Sequence, residues 1–143
     1  MQPFSVAILL AFADVTSAQF VGTWEGKVND LPAIEITIIS DHGSITGTIG
    51  FVFQQRRADG SWEAKDTHTT PLLTPRVQDG NLTFETKHHK SHGSTEFGPN
   101  VRFRMTITNS SEARLFKLGD GDPPGPGLKL TKIKDRSQKE PRR

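Results

Sequence analysis

The stretch from Phe20 to Gly26, FVGTWEG, decides the fold of this chain. Apolar and polar positions alternate along it, and a period of two is typical of a half-buried β-strand. Its largest side chain, Trp24, stands between two glycines that have no side chains to cover it. Neighbouring strands must bury the indole, so this stretch predicts the first strand of an all-β domain.

The same alternation recurs along the chain, and no segment after the leader has the period of an amphipathic helix. The predicted strands are Phe20–Val28, Ile34–Ile39, Ser44–Phe53, Trp62–Thr70, Leu72–Val77, Asn81–His88, Val101–Thr108, Glu112–Leu118 and Leu128–Lys134. Short strands joined in this way predict an antiparallel up-and-down barrel of about eight strands, with a β-sandwich as the alternative.

The connections between these strands contain turn residues. Asp41–Gly43 and Asp79–Gly80 predict tight hairpins, because glycine adopts positive φ without strain. The turn Asn29–Pro32 is expected to end the first strand, since Pro32 has no N–H for a strand ladder. Pro75 predicts an edge position or a bend for the same reason.

Composition and the N-terminal sequence suggest one exported domain. The chain has 143 residues and no cysteine, which excludes disulfides, thiolate nucleophiles and cysteine-based zinc sites. The apolar run Val6–Ala13 is too short to span a membrane and predicts a signal peptide, cleaved after Ala13 or, preferably, after Ala18. We therefore expect a secreted or periplasmic protein with a signal peptide (1–18), a β-barrel domain (19–135) and a disordered basic tail (136–143).

Three short motifs resemble the calycin barrels, a group that includes lipocalins, fatty-acid-binding proteins and avidins. Gly22-Thr23-Trp24 resembles the G-x-W opening of those barrels. The hairpin strand that contains Thr46-Gly47-Thr48 is similar to the second hairpin of avidin-like proteins. Leu130–Lys134 resembles their last strand.

The resemblance implies an up-and-down barrel that is closed by its first and last strands. A cation of the last strand, Lys132 or in another register Lys134, would then cover Trp24, with Gly22 beside it. These are the implied structural closure residues. The chain departs from the avidins where they bind biotin, since Gly26 stands two positions after the first tryptophan. Biotin is therefore not expected as a ligand.

Inward-facing aromatic residues predict where a ligand would bind. The candidate ligand-binding residues are Phe51, Phe53, Phe84, Phe103 and Met105. They would either line an open lumen or fill a small barrel completely. An open lumen favours an exported, non-enzymatic barrel that binds a small apolar or amphipathic ligand. A filled one favours a protein-interaction or inhibitor-type module that uses the loops 89–100 and 119–127.

Other chemistries find less support in the sequence. The H-H-x-x-H pattern from His88 to His92, with His68 nearby, could bind a metal, but a polar surface loop is the favoured interpretation, so no metal or other cofactor is predicted. There is no G-x-S-x-G or S-x-x-K motif, and no catalytic residue is predicted. Arg102 and Arg104 alternate with apolar residues and are expected to face solvent, so no nucleic-acid partner is expected.

Overall fold

The computed structural model describes residues 16–89, 95–119 and 126–133. Its strands are β1 (Gly22–Val28), β2 (Leu31–Asp41), β3 (Ser44–Arg56), β4 (Trp62–Pro71), β5 (Leu73–Gln78), β6 (Asn81–Thr86), β7 (Val101–Asn109), β8 (Glu112–Leu118) and β9 (Leu128–Ile133). A short 3₁₀-helix, Ser17–Phe20, precedes β1, and the described ranges contain no α-helix. The predicted signal-peptide core and the basic tail lie outside the described residues.

The nine strands form one antiparallel sheet in the order β4-β3-β2-β1-β9-β8-β7-β6-β5. Every neighbour is adjacent in sequence, except that β1 pairs with β9, so the two ends of the domain meet in the middle of the sheet. The sheet curls into a half-barrel. This confirms the expected all-β, antiparallel up-and-down architecture, and its strands belong to one sheet rather than to the two sheets of a sandwich.

The two edges of the sheet come from consecutive parts of the chain. Strand direction alternates across an antiparallel sheet, so β4 and β5, in the first and ninth places, run the same way. One residue, Leu72, links them, and its N–H donates to the Gly47 carbonyl of β3 at 2.9 Å. The continuous extended segment from β4 through Leu72 to β5 therefore pairs first with β3 and then with β6. It counts as two strands, which gives nine strands instead of about eight. Pro75 lies in β5, an edge strand, as predicted.

The first hairpin turn is shorter than the sequence suggests. Asn29 and Asp30 both have positive φ, 58° and 61°, and they make the whole reversal. β2 then begins at Leu31 and includes Pro32, which was expected to end the turn outside any strand. Proline is tolerated there because the β1–β2 register shifts at this point, placing Pro32 opposite Lys27 at an irregularity.

One end of the half-barrel is packed solid around Trp24. The indole is completely buried, and its Nε1 donates a hydrogen bond to the Phe20 carbonyl at 2.9 Å. Phe20, expected at the start of the first strand, instead ends the 3₁₀-helix and is itself fully buried. The buried hydrophobic core comprises Phe20, Trp24, Ile36, Ile38, Ile49, Leu72, Leu82, Phe84, Phe103, Met105, Ala113, Leu115 and Leu130.

Candidate ligand-binding site

A cavity of about 360 Å³ lies at the opposite end from Trp24. The cross-strand register explains its position. The row that contains Trp24, Ile36 and Ile49 is buried, whereas in the next row along the sheet Ile34 and Phe51 line the cavity. The described residues that line the cavity are Ile34, Phe51, His88, Val101, Phe103, Leu115, Lys117 and Leu128.

Gly26 contributes to the space in this part of the lumen. A Cβ atom at this position would lie 2.6 Å from the Leu128 Cδ2 and 3.0 Å from the Leu130 Cδ2. Any larger residue would therefore push Leu128, which lines the cavity, away from β1. The small residue at position 26 lets the leucines of β9 pack against β1 while the cavity stays open.

Aromatic rings from both halves of the sheet meet at the cavity. The ring centroids of Phe51 on β3 and Phe103 on β7 are 6.3 Å apart and tilted by 35°. Phe103 also stacks on Phe84 of β6, with a centroid distance of 5.5 Å. The contact between Phe51 and Phe103 joins two strands that are distant in the sheet, and the rings give the cavity an apolar wall that suits hydrocarbon.

The structure distributes the sequence-predicted ligand residues over three environments. Phe51 and Phe103 line the cavity. Met105 is fully buried in the packed core, and Phe84 is nearly so, with 2% of its surface exposed. Phe53 is 45% exposed and does not line the cavity. Two of these five residues, Phe51 and Phe103, therefore line this cavity.

Sequence reasoning missed most of the lining. Ile34, Val101, Leu115 and Leu128 are aliphatic residues of four different strands, and nothing in the local sequence separates them from other inward-facing residues. Lys117 carried a detectable signal, because it follows Leu115 by two positions and so shares its face of β8. A lysine at an inward position is unusual enough to have marked the site.

Two polar side chains, Lys117 and His88, complete the described lining. Lys117 is directly opposite Phe103 in the β7–β8 ladder, yet Lys117 is exposed to solvent. It therefore lies where the apolar wall meets solvent, with its methylene stem along the wall. None of the described lining residues is acidic, and Lys117 makes no ion pair within the described part of the chain.

The histidines do not form a metal site in the described part of the chain. The rings of His68 and His89 touch edge to face at 5.1 Å, and His89 stacks on Phe97 at 4.6 Å. The Nδ1 atom of His89 is buried with no hydrogen-bond partner. No group of three potential metal-binding side chains occurs among residues 16–89, 95–119 and 126–133, and His92 lies outside those ranges.

The expected closure residues lie at the β1–β9 junction. Lys132 is directly opposite Trp24, with its Nζ 5.0 Å from the centre of the indole ring. Gly22 has a φ of 134°, and a Cβ there would lie 3.0 Å from the Lys132 Cε. The lysine stem thus passes over a position that only glycine fits well. Lys134, the alternative partner, lies outside the described residues.

Comparisons with known protein families, curated proteins and solved structures found no match. In the part of the chain that is described, no helix is long and apolar enough to cross a membrane. The loops considered for protein interaction are only partly described, because residues 90–94 and 120–125 fall outside the described ranges.

Proposed function

We propose that this protein is a non-enzymatic β-barrel that binds a small apolar or amphipathic ligand in the open end of its curled sheet. The observation that carries the proposal is the cavity of about 360 Å³, whose described lining is apolar except for Lys117 and His88. Ligand sites are typically concave, mostly apolar and roughly 300–1,000 Å³ in volume, so this cavity suits a ligand at the small end of that range.

The packed end of the domain supports the same proposal. Trp24 and its neighbours form a buried core, and this core packs against the strands that also frame the cavity. Because the side chains around a preformed cavity are already ordered, little of their conformational entropy is lost when a ligand binds.

The test is binding of the neutral fluorescent probe N-phenyl-1-naphthylamine and its displacement by decanol. We expect probe fluorescence to rise on addition of the protein and to fall as decanol displaces the probe. A protein that leaves the fluorescence unchanged at all concentrations would contradict the proposal. A second copy of the chain that covered the mouth would appear in analytical ultracentrifugation as a ligand-free dimer that excludes the probe, which would also contradict it.

A cavity-filling variant tests whether the probe binds in this cavity. Val101→Phe adds a ring to a half-buried residue of the lining, and we expect it to weaken probe binding about tenfold, or roughly 1.4 kcal/mol. Ile39→Phe is the matched control, because Ile39 is 51% exposed and lies outside the lining. Circular dichroism should show both variants folded. Equal losses in the two variants would move the binding site away from the cavity.

We further propose a calycin-like origin and export for this domain. Two observations support the calycin-like origin: the first strand of the antiparallel sheet pairs with the last, and Lys132 contacts Trp24. The apolar run Val6–Ala13 supports export, because its length is that of a signal-peptide core. Expression of the full chain in a secreting host should yield extracellular or periplasmic protein whose N-terminal sequence starts at Gln19 or, with the other cleavage site, at Asp14. Protein that keeps Met1 to Ala13 and stays in the cytoplasm would contradict export.

A further inference from the structure

We propose that the cavity selects amphiphiles with a single anionic group, and that Lys117 binds that group at the mouth. This inference rests on the proposed function, because it names the chemical class of ligand that the same cavity takes. The occupant is one small molecule: a hydrocarbon body inside the lumen and a carboxylate, or a similar anion, at the boundary with solvent.

The charge of the lining supports an anion. Among the described lining residues, Lys117 is the one side chain with a fixed charge, and none is acidic. His88, the other polar residue of the described lining, adds a hydrogen-bond donor. A cationic amphiphile would meet repulsion without compensation, whereas an anion would find an ammonium that the described residues leave without an ion pair.

The position of Lys117 indicates how the ligand is oriented in the cavity, with its anionic group toward solvent. Lys117 is opposite Phe103, one step beyond Leu115 along the same face of β8, and is classed as exposed. The cavity therefore becomes more polar from the buried Leu115 toward solvent. A ligand bound with its anion at Lys117 keeps that anion hydrated while its tail lies against Phe51 and Phe103, so no charge is transferred into apolar surroundings.

The experiment compares decanoate, decanol and decylamine, which share one chain length and differ in charge, as competitors of the neutral probe. We expect decanoate to be the best competitor and decylamine the worst at neutral pH. Lys117→Met should weaken decanoate binding about fivefold more than it weakens decanol binding, the size expected of a partly solvated ion pair. High salt should weaken decanoate alone, since screening acts on charges.

Two further variants make the result specific. Lys117→Arg keeps the charge and should keep the preference for decanoate. Lys27→Met removes the same charge from an exposed residue that lies outside the cavity lining, and it should leave decanoate binding unchanged. Circular dichroism shows whether Lys117→Met is folded.

The outcomes separate the two proposals. If decanol and decanoate both displace the probe but Lys117→Met affects them equally, or Lys27→Met reduces decanoate binding as much, the role of Lys117 is overturned and the ligand-binding function stands. If neither decanol nor decanoate displaces a bound probe, or the probe does not bind at all, the proposed function is overturned and this inference with it.

Discussion

The ammonium group of Lys132 lies over the indole face of Trp24, with Nζ 5.0 Å from the ring centre. The two residues are direct partners in the β1–β9 ladder, which has three residue pairs in the described part of the chain. A cation over an aromatic face is attracted by the ring's quadrupole. This contact therefore adds a side-chain link at the short junction where the first and last strands of the domain meet.

Trp24→Ala should lower the free energy of unfolding by about 3–5 kcal/mol. The indole is fully buried, and its removal leaves a cavity and frees the Phe20 carbonyl from its hydrogen bond. Urea denaturation followed by circular dichroism measures the loss. Trp62→Ala is the control: Trp62 is 40% exposed, so we expect a change below about 1 kcal/mol. A similarly small loss for Trp24→Ala would mean that the indole is not a core residue.

Lys132→Met should destabilise the fold by about 0.5–1 kcal/mol, since it removes the cation and keeps most of the stem. The decisive measurement is a double-mutant cycle with Trp24→Leu, in which we expect a coupling energy of about 0.5–1 kcal/mol. Lys129, on the same strand, forms a surface ion pair with Glu112 at 3.3 Å and is the comparison. Lys129→Met should show no coupling to Trp24, and equal coupling of both lysines would refute a specific contact.

Gly47→Ala should destabilise the protein by about 3 kcal/mol, the upper end of the cost of overpacking. A Cβ at this position would overlap the Thr37 carbonyl oxygen of β2, which is backbone and cannot rotate away. Gly50, on the same strand, is the matched control, because the two atoms nearest to its Cβ would be side-chain atoms, the Thr67 Cγ2 at 3.1 Å and the Thr69 Oγ1 at 3.2 Å, while the nearest backbone atom, the Glu35 carbonyl oxygen, would lie at 3.8 Å. Thermal denaturation of the two variants should therefore rank Gly50→Ala as the milder change; the reverse order would contradict the close approach of β2 and β3.

Ser61→Ala should raise the pKa of Asp59. In the native turn, the hydrogen bond from the Ser61 hydroxyl, followed by the one from its backbone N–H, holds the pKa of this carboxyl below its ordinary value. The two bonds are 2.6 Å and 2.9 Å long and end on the same Oδ1 atom. A carbon-detected NMR titration of the carboxyl group should show the upward shift in Ser61→Ala and little shift in Ser61→Thr.

The pH dependence of stability follows from the same two bonds. A carboxyl whose pKa is lower in the folded state stabilises the fold above its unfolded pKa, and this contribution is lost as the pH falls through the folded pKa. The stability difference between the native protein and Ser61→Ala should therefore shrink in acid. A difference that stayed constant from neutral to strongly acidic pH would show that Asp59 is not the group involved.

Local sequence predicted the strands and most of their faces because both depend on short-range features. In β7, the buried residues Phe103 and Met105 alternate with Arg102 and Arg104, as the period of two requires. The hairpin turn His42–Gly43 has positive φ at both residues, which follows from its residue types. The first turn was predicted too long because Pro32 is compatible with a strand only at an irregularity in the ladder, and the partner strand creates that irregularity.

Tertiary structure alone decided which inward-facing residues surround empty space. Met105 and Phe103 are two positions apart on one face of β7, yet Met105 is fully buried in the core and Phe103 lines the cavity. The difference comes from the strands across the lumen, where the Trp24 side chain fills one row, whereas in the next row Gly26 has no side chain and Leu128 and Leu130 pack over it.

The sequence by itself determined that this chain forms an antiparallel β-sheet with one apolar face, because the period of two and the turn residues act within a few positions. Only the tertiary structure decided that β4 and β5 form opposite edges joined at Leu72, and that Lys117 lies at the mouth of the cavity. Both depend on the register between strands far apart in the chain, and register is set by the packing of whole faces, which no local pattern contains.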